Sequence, residues 1–165
     1  GTARAVEEMT EPASPIHLLA RREIEARIAA PLIQALEAEF GEARVREVVQ
    51  GVIAGLARQH GAALAEQMGG CTLAHFIQAL TAWQQGDAMQ MEVLEESETR
   101  YAFNATRCRY AEMYQALGIP ELGRLLSCSR DFALVEGFNP QIKLRRTQTL
   151  LDGAPYCDFC FEIEK

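Results

Sequence analysis

Residues 142–163 read Ile-Lys-Leu-Arg-Arg-Thr-Gln-Thr-Leu-Leu-Asp-Gly-Ala-Pro-Tyr-Cys-Asp-Phe-Cys-Phe-Glu-Ile. The alternation predicts a β-hairpin, Ile142 to Leu151 and Tyr156 to Ile163, joined through Asp152-Gly153, a pair that tolerates the positive φ of tight turns. Whether the loop holds two or four residues, even positions of the first strand fall beside odd positions of the second, so the two faces are fixed. One face carries Ile142, Leu144, Leu150, Phe159, Phe161 and Ile163. The same parity puts Arg146, Gln148 and Cys157 among them, and a charge in that company needs a partner or a ligand. Arg146 either grips a ligand carboxylate through its planar fork or pairs with a structural acid. Cys157 and Cys160 are spelled CxxC, yet strand residues three apart point to opposite faces, so the pair neither chelates nor forms a redox couple.

Working upstream, the same two-residue period governs Met89, Met91 and Val93, then Tyr101, Phe103 and Ala105, a second hairpin turning near Ser97-Glu98. Before it the period is helical. Ile24, Ile28, Leu32, Leu36 and Phe40 form one stripe, stopped by Gly41 and interrupted by Pro31, which predicts two abutting helices or one kinked near Ala30. Val45, Val48, Val49, Val52, Leu56, His60, Leu64 and Met68 form a second stripe, and Leu73, Phe76, Ile77, Leu80 and Trp83 a third. Between the hairpins, Tyr110, Met113, Tyr114 and Leu117 restore helical spacing, Pro120 opens a further segment, and a short helix is expected over 132–136. The order of elements predicts an α+β fold with N-terminal helices packed on one face of an antiparallel sheet built from two hairpins. Residues 1–15, with Pro12 and Pro15 and no apolar period, read as a mobile arm. Residues 16–165 read as one domain, its helical half over 16–86 and its mixed half over 87–165.

Composition narrows the function. The 165 residues are 48% hydrophobic and 24% charged, with a net charge of −7, which suits a packed globule and lacks the basic footprint of a nucleic-acid binder. No apolar run reaches the roughly 20 residues of a membrane span, and no signal-peptide pattern is present, so a cytoplasmic protein is expected. Five cysteines without a secretory signal read as reduced thiols.

On the segment opened by Pro120, Arg124, Cys128 and Asp131 follow i, i+4, i+7 opposite Leu122, Leu125 and Leu126. A cation beside a thiol and a carboxylate within reach are the parts of nucleophilic or general-base hydrolysis, although an exposed face with an incidental thiol has the same spelling. Cys108 and Glu112 share another face. Cys108, Cys128 and Cys157 can also converge on zinc with Asp131 or a histidine, though their irregular spacing matches no zinc motif. His60 reads as a core histidine, His75 as exposed, and His17 as next to the arm. The mixed stripes of the first helices suit self-association as a homodimer.

Taken in order, Arg107-Cys108 through Glu112, Gly118-Ile119-Pro120-Glu121-Leu122-Gly123, Cys128 with Asp131, Phe138-Asn139-Pro140, Arg146-Thr147 with Thr149-Leu150, Gly153, and Cys157-Asp158-Phe159 resemble the L-2-amino-thiazoline-4-carboxylic acid hydrolase family. The resemblance implies a hydrolase that opens a small carboxylated heterocycle, a cyclic isothiourea or amidine, with the heterocycle as its small-molecule substrate. It further implies roles. Cys128, activated by Arg124 or another charge, attacks the amidine carbon, with Cys157 and Cys108 as the other candidate thiols. Asp131 or Asp158 handles the proton, Asn139 steadies the developing charge, and Arg146 with Thr147 receives the substrate. Water attacking beside a thiol-bound zinc fits the same residues. The helices over a terminal Gly-to-Cys-Asp-Phe hairpin also resemble vinyl-reductase-like sensor domains, which would make the chain a ligand-binding module without turnover.

Overall fold

Bulky side chains at every second position of 101–105 and 157–161 give a sheet one face that must be covered, and the helices cover it. The computed structural model describes residues 16–163; the expected arm over 1–15 lies outside the described residues. Strands β1 (Met89–Glu96), β2 (Arg100–Cys108), β3 (Ile142–Arg145) and β4 (Cys157–Ile163) make one antiparallel sheet in the order β1-β2-β4-β3. Helices α1 (Leu18–Phe40), α2 (Glu42–Met68) and α3 (Leu73–Ala79) precede it, with a tighter 3-10 stretch over Leu80–Asp87. Between the hairpins lie α4 (Arg109–Ala116), the single turn α5 (Pro120–Gly123), a widened turn over Arg124–Cys128, and α6 (Arg130–Phe138). The α+β expectation holds.

Aromatic rings weld the layers. Phe103 stacks on Phe159 at 4.8 Å, Phe76 of α3 lies 5.0 Å from Phe161 and 5.1 Å from Phe138, and Trp83 meets Phe159 edge-on at 5.8 Å. Leu73, Phe76, Leu80 and Trp83 of the third expected stripe are all buried.

The parity of the last hairpin is as read: Ile142 pairs with Ile163, Leu144 with Phe161, and Arg145 with Cys160. Its length is not. The ladder stops at Arg145, because Asp158 draws in the backbone N–H groups of Thr147 and Gln148, both at 2.9 Å, and the Thr147 hydroxyl at 2.6 Å. Residues 150–152 then form one 3-10 turn, and Gly153, at φ 90°, closes that turn instead of a two-residue hairpin.

The first two helices carry a larger correction. Ile24, Ile28, Leu32, Leu36 and Phe40 are exposed, as are Val48, Val52 and Leu56, with Ile28 and Phe40 each 65% accessible. The buried faces centre on small residues instead, Ala26 and Ala30 between Arg22 and Ile33 in α1, and Ala57 and Gly61 with Val45 in α2. Small side chains allow backbones to touch, and a Cβ on Gly61 would collide with the Leu134 carbonyl while one on Gly137 would collide with that of Arg58. The α2–α6 seam thus needs glycine on both sides. Pro31 neither ends nor divides α1; it faces solvent, where water can satisfy the Arg27 carbonyl that loses its amide partner.

Candidate functional site

The sheet and helices hand over to one another at one end of the molecule, and a cavity of ≈ 60 Å³ opens there. Leu18, Trp83, Met89 and Leu134 give it apolar walls, while Arg22 from α1, His60 from α2, Cys108 from the end of β2, Tyr110 from the start of α4, Cys128 from the widened turn, and Arg130 with Asp131 from the start of α6 give it chemistry. No two adjacent elements could supply this set.

The widened turn decides where Cys128 points. Both the backbone N–H and the hydroxyl of Ser129 donate to the Arg124 carbonyl at 2.8 Å, a five-residue span that adds a residue to the turn. The expected helix face of Arg124, Cys128 and Asp131 is therefore broken: Arg124 forms an ion pair with Asp152 on the outside, and Cys128 and Asp131 line the cavity.

Asp131 is held by Arg146, whose Nη1 donates to it at 2.7 Å while Nη2 donates to the Cys128 carbonyl at 2.8 Å. The guanidinium sits between the rings of Phe132 and Phe159, 5.2 and 5.0 Å from their centroids, with 6% of its side chain accessible. Of the two readings of Arg146, the structure has the one with a protein acid as partner, and its fork is already committed. Burial pushes the Asp131 carboxyl above its ordinary value, and the guanidinia of Arg146, Arg130 and Arg22 pull against that. Burial works against the Arg146 charge as well, but Asp131 outweighs it and raises its proton affinity.

The thiols are kept neutral. Burial pushes Cys108 up to about 11 and Cys128 to about 12, with the Asp131 charge adding to the latter. Cys157 is buried on the core face, accepts from the Leu150 N–H at 3.2 Å, and is also raised by burial. Cys160 points to the other face, as strand parity required, and Cys71 is exposed. Cys108 ends a strand and does not share a helical face with Glu112, which pairs instead with exposed Arg107 at 2.8 Å. Among the described residues, no group of three or more His, Cys, Asp or Glu is placed to hold a metal ion.

Three other expected residues do not line the cavity and are engaged in hydrogen bonds within the protein. Burial opposes ionisation of Asp158, but its bonds from Thr147 and Gln148 outweigh burial and hold its carboxyl below the ordinary value. With Thr147 it clamps the 146–149 loop. Asn139 donates to the Cys71 carbonyl at 2.8 Å and accepts from the Gln141 N–H at 2.9 Å, tying the end of α6 to the start of α3. Sequence reading missed Arg22, Tyr110 and Arg130 and gave His60 a core role. Arg22 had a signal, since it heads the buried row Ala26, Ala30, Ile33 at helical spacing; Arg130 had none. Burial and the neighbouring charges of Arg22 and Arg130 push the His60 imidazole below its ordinary value.

Residues 21–161 match the model of the L-2-amino-thiazoline-4-carboxylic acid hydrolase family. The chain belongs to that family. The match spans every cavity residue named above except Leu18. Curated proteins give no significant sequence match to this family member. Among solved structures, a trafficking protein particle complex subunit 3 from Naegleria fowleri, covalently bound to palmitic acid, is similar with a TM-score of 0.55 at 11% identity, over 88% of this chain and 96% of that one. The phenol-responsive sensory domain of the transcription activator PoxR, solved with phenol, is similar with a TM-score of 0.52 at 10% identity, over 93% of this chain and 77% of that one. At such identities the likeness is one of fold. No described helix of this hydrolase-family chain is long and apolar enough to cross a membrane.

Proposed function

We propose that the chain is a hydrolase that opens a small carboxylated cyclic isothiourea, of the L-2-amino-thiazoline-4-carboxylate type, in the cavity between α1, α2, the β1–β2 hairpin and α6. The observation that carries this reading is the convergence of Cys108, Cys128 and Asp131 on one apolar-walled cavity within the span that matches the family. In the reaction, C2 of the ring gains oxygen from water and loses its bond to sulfur. In net balance the ring nitrogen and the released thiol each gain a proton. Cys128 adds to C2 of the C2=N3 bond with Asp131 held by Arg146, and the neutral imidazole of His60 takes the thiol proton and passes it to N3. The adduct then expels the ring sulfur, which leaves as a thiol with a proton from the exocyclic amine, so that Cys128–C(=NH)–NH– remains. Water then adds to C2 and displaces the enzyme sulfur; its oxygen becomes the carbamoyl C=O, one of its protons completes the NH2 group and the other returns to Cys128. A neutral thiol suits such coupled transfer, since a free thiolate would be costly in this cavity.

Chromatography of the thiazoline and its N-carbamoylcysteine product tests this. Cys128→Ala should lower turnover by more than about 100-fold, while Cys71→Ala, altering an exposed thiol away from the cavity, retains it. Wild-type protein that leaves the ring intact, or a Cys128→Ala variant as active as wild type, overturns the assignment. A second reading, a binding module without turnover, is favoured by the neutral thiols and by relatives in fold that hold palmitic acid or phenol. It predicts saturable binding with full recovery of the thiazoline.

The partner reading follows from the exposed helical rows. Ile24, Ile28, Leu32, Leu36 and Phe40 with Val48, Val52 and Leu56 are each 45 to 65% accessible. Ile24, Ile28, Leu32 and Leu56 line one open groove together with Ile53, an exposed apolar surface of the kind that marks an interaction site. Ion pairs of both signs, Arg27–Glu23 at 2.8 Å and Arg44–Glu47 at 3.0 Å, lie beside the rows, so a two-fold copy of the same face is electrostatically compatible. The occupant is a second copy of this chain.

A further inference from the structure

We propose that Arg22 and Arg130 form an anion cradle that receives the carboxylate of the molecule occupying the cavity, a role that Arg146, committed to Asp131, does not fill. The identity of the ring attached to that carboxylate rests on the hydrolase reading; the cradle itself rests on charge and geometry.

Three guanidinia, Arg22, Arg130 and Arg146, share this region with two carboxylates, Glu25 and Asp131. Asp131 is taken by Arg146 at 2.7 Å. Glu25 alone is left for the other two guanidinia, at 2.7 Å from Arg22 and 3.8 Å from Arg130, and it is itself 47% accessible. One positive charge therefore has no counterpart in a low-dielectric setting, where an uncompensated charge is expensive. The surplus is concentrated at Arg130. Its Nε is buried without a hydrogen-bond partner, and only 12% of its side chain is accessible. Burial and the adjacent Arg22 also depress its proton affinity, as expected where a cation lacks its anion.

A merely structural role leaves this imbalance unexplained. A helix needing only to pack would place an apolar residue where Arg22, 5% exposed, heads the Ala26–Ala30 row. Both arginines line the cavity together with Asp131, which Arg146 neutralises, and Leu18, Trp83, Met89 and Leu134 supply its apolar walls. The space thus asks for a small molecule with one negative group at the arginines and an apolar or ring-shaped body beyond them. A carboxylate meets both guanidinia with its two oxygens and supplies the missing charge. It also places the attached ring beside the thiols of Cys108 and Cys128, which line the same cavity.

The test is calorimetric binding of two probes, 2-amino-thiazoline-4-carboxylate and 2-amino-thiazoline without the carboxylate, to wild type, Arg130→Met, Arg130→Lys and Arg22→Met. Benzoate serves as a third probe with no ring to open. Wild type should favour each carboxylate probe at least tenfold over the decarboxylated ring. Arg130→Met should erase that preference, and Arg130→Lys should restore part of it. Circular dichroism confirms the fold of each variant, and the accessible edge of Arg130 makes its variants the deciding ones if Arg22→Met does not fold. A carboxylate preference unchanged in Arg130→Met, or absent from wild type for both carboxylate probes, overturns the cradle without touching the hydrolase assignment. An Arg130-dependent preference in a protein that never opens the ring supports the cradle and removes the hydrolase reading.

Discussion

Arg146→Met deletes one half of a buried ion pair and leaves the other half in place. Breaking such a pair costs about 3–5 kcal/mol, because the remaining charge keeps its desolvation penalty without compensation. Here the lower end applies, about 3 kcal/mol, since Arg130 and Arg22 still act on Asp131. Asp131→Asn is milder. Its amide oxygen can still accept from Arg146, which also keeps the Cys128 carbonyl at 2.8 Å and its two aromatic neighbours. The lost charge assistance then costs about 2 kcal/mol. In the double variant no buried charge is stranded, so its cost should stay near that of Arg146→Met alone, a coupling of about 2 kcal/mol. Urea unfolding of the four proteins, with a common slope, measures the cycle, and Arg146→Met should melt roughly 6–12 °C below wild type. Singles costing under about 1 kcal/mol and adding in the double would match an exposed pair and would refute the buried bridge.

Gly61→Ala should destabilise by about 2–3 kcal/mol, because the added methyl meets the Leu134 carbonyl and main chain cannot yield as a flexible side chain does; an unchanged urea midpoint would mean that the α2–α6 seam is looser than described. His60 carries an acid-side stability slope. Its folded pKa lies below its ordinary 6.5, so the unfolded chain binds more protons as pH falls through that value, and stability is full above it and declines below. His60→Gln should flatten this decline between pH 7 and 5, even though Glu25 opposes and Arg21 reinforces the shift; an unaltered slope would assign it to other groups. Sedimentation should find wild type dimeric and the Ile28→Glu, Leu32→Glu double variant monomeric and folded, and a monomeric wild type would rule out the α1–α2 face as the contact.

Strand parity was the most legible feature of the chain, because a period of two is indifferent to loop length: Phe159, Phe161 and Cys157 face the core however residues 146–156 are routed. The routing itself depended on where one side chain spends its hydrogen bonds. Asp158 takes the amides of Thr147 and Gln148 from the ladder, and no periodicity records that choice. The helices misled for the opposite reason. The apolar period of α1 marks the surface left uncovered in the single chain, whereas the packed face runs through Ala26 and Ala30, whose value lies in how little they protrude. For the site, Cys128, Asp131 and Arg146 were identifiable by residue type, but the arginine's partner was set by a turn one residue wider than an α-helix.

That extra residue ties stability to chemistry. It pairs Arg124 with Asp152, so that the guanidinium acting on the Cys128 thiol is that of Arg146. Arg146 approaches through the Cys128 carbonyl, and burial together with the Asp131 charge pushes the thiol up to about 12. In the proposed reaction, a thiol so disfavoured as an anion gives up its proton during the attack, to a base that is itself unprotonated. Among the cavity's side chains His60 meets that condition, and it does so because Arg22 and Arg130 help to keep it unprotonated. In the proposed cradle, a carboxylate between those two arginines would cancel part of their field and raise the proton affinity of His60. In that proposal the arginine pair, the imidazole and the neutral thiol would act as parts of one electrostatic arrangement that the bound anion completes.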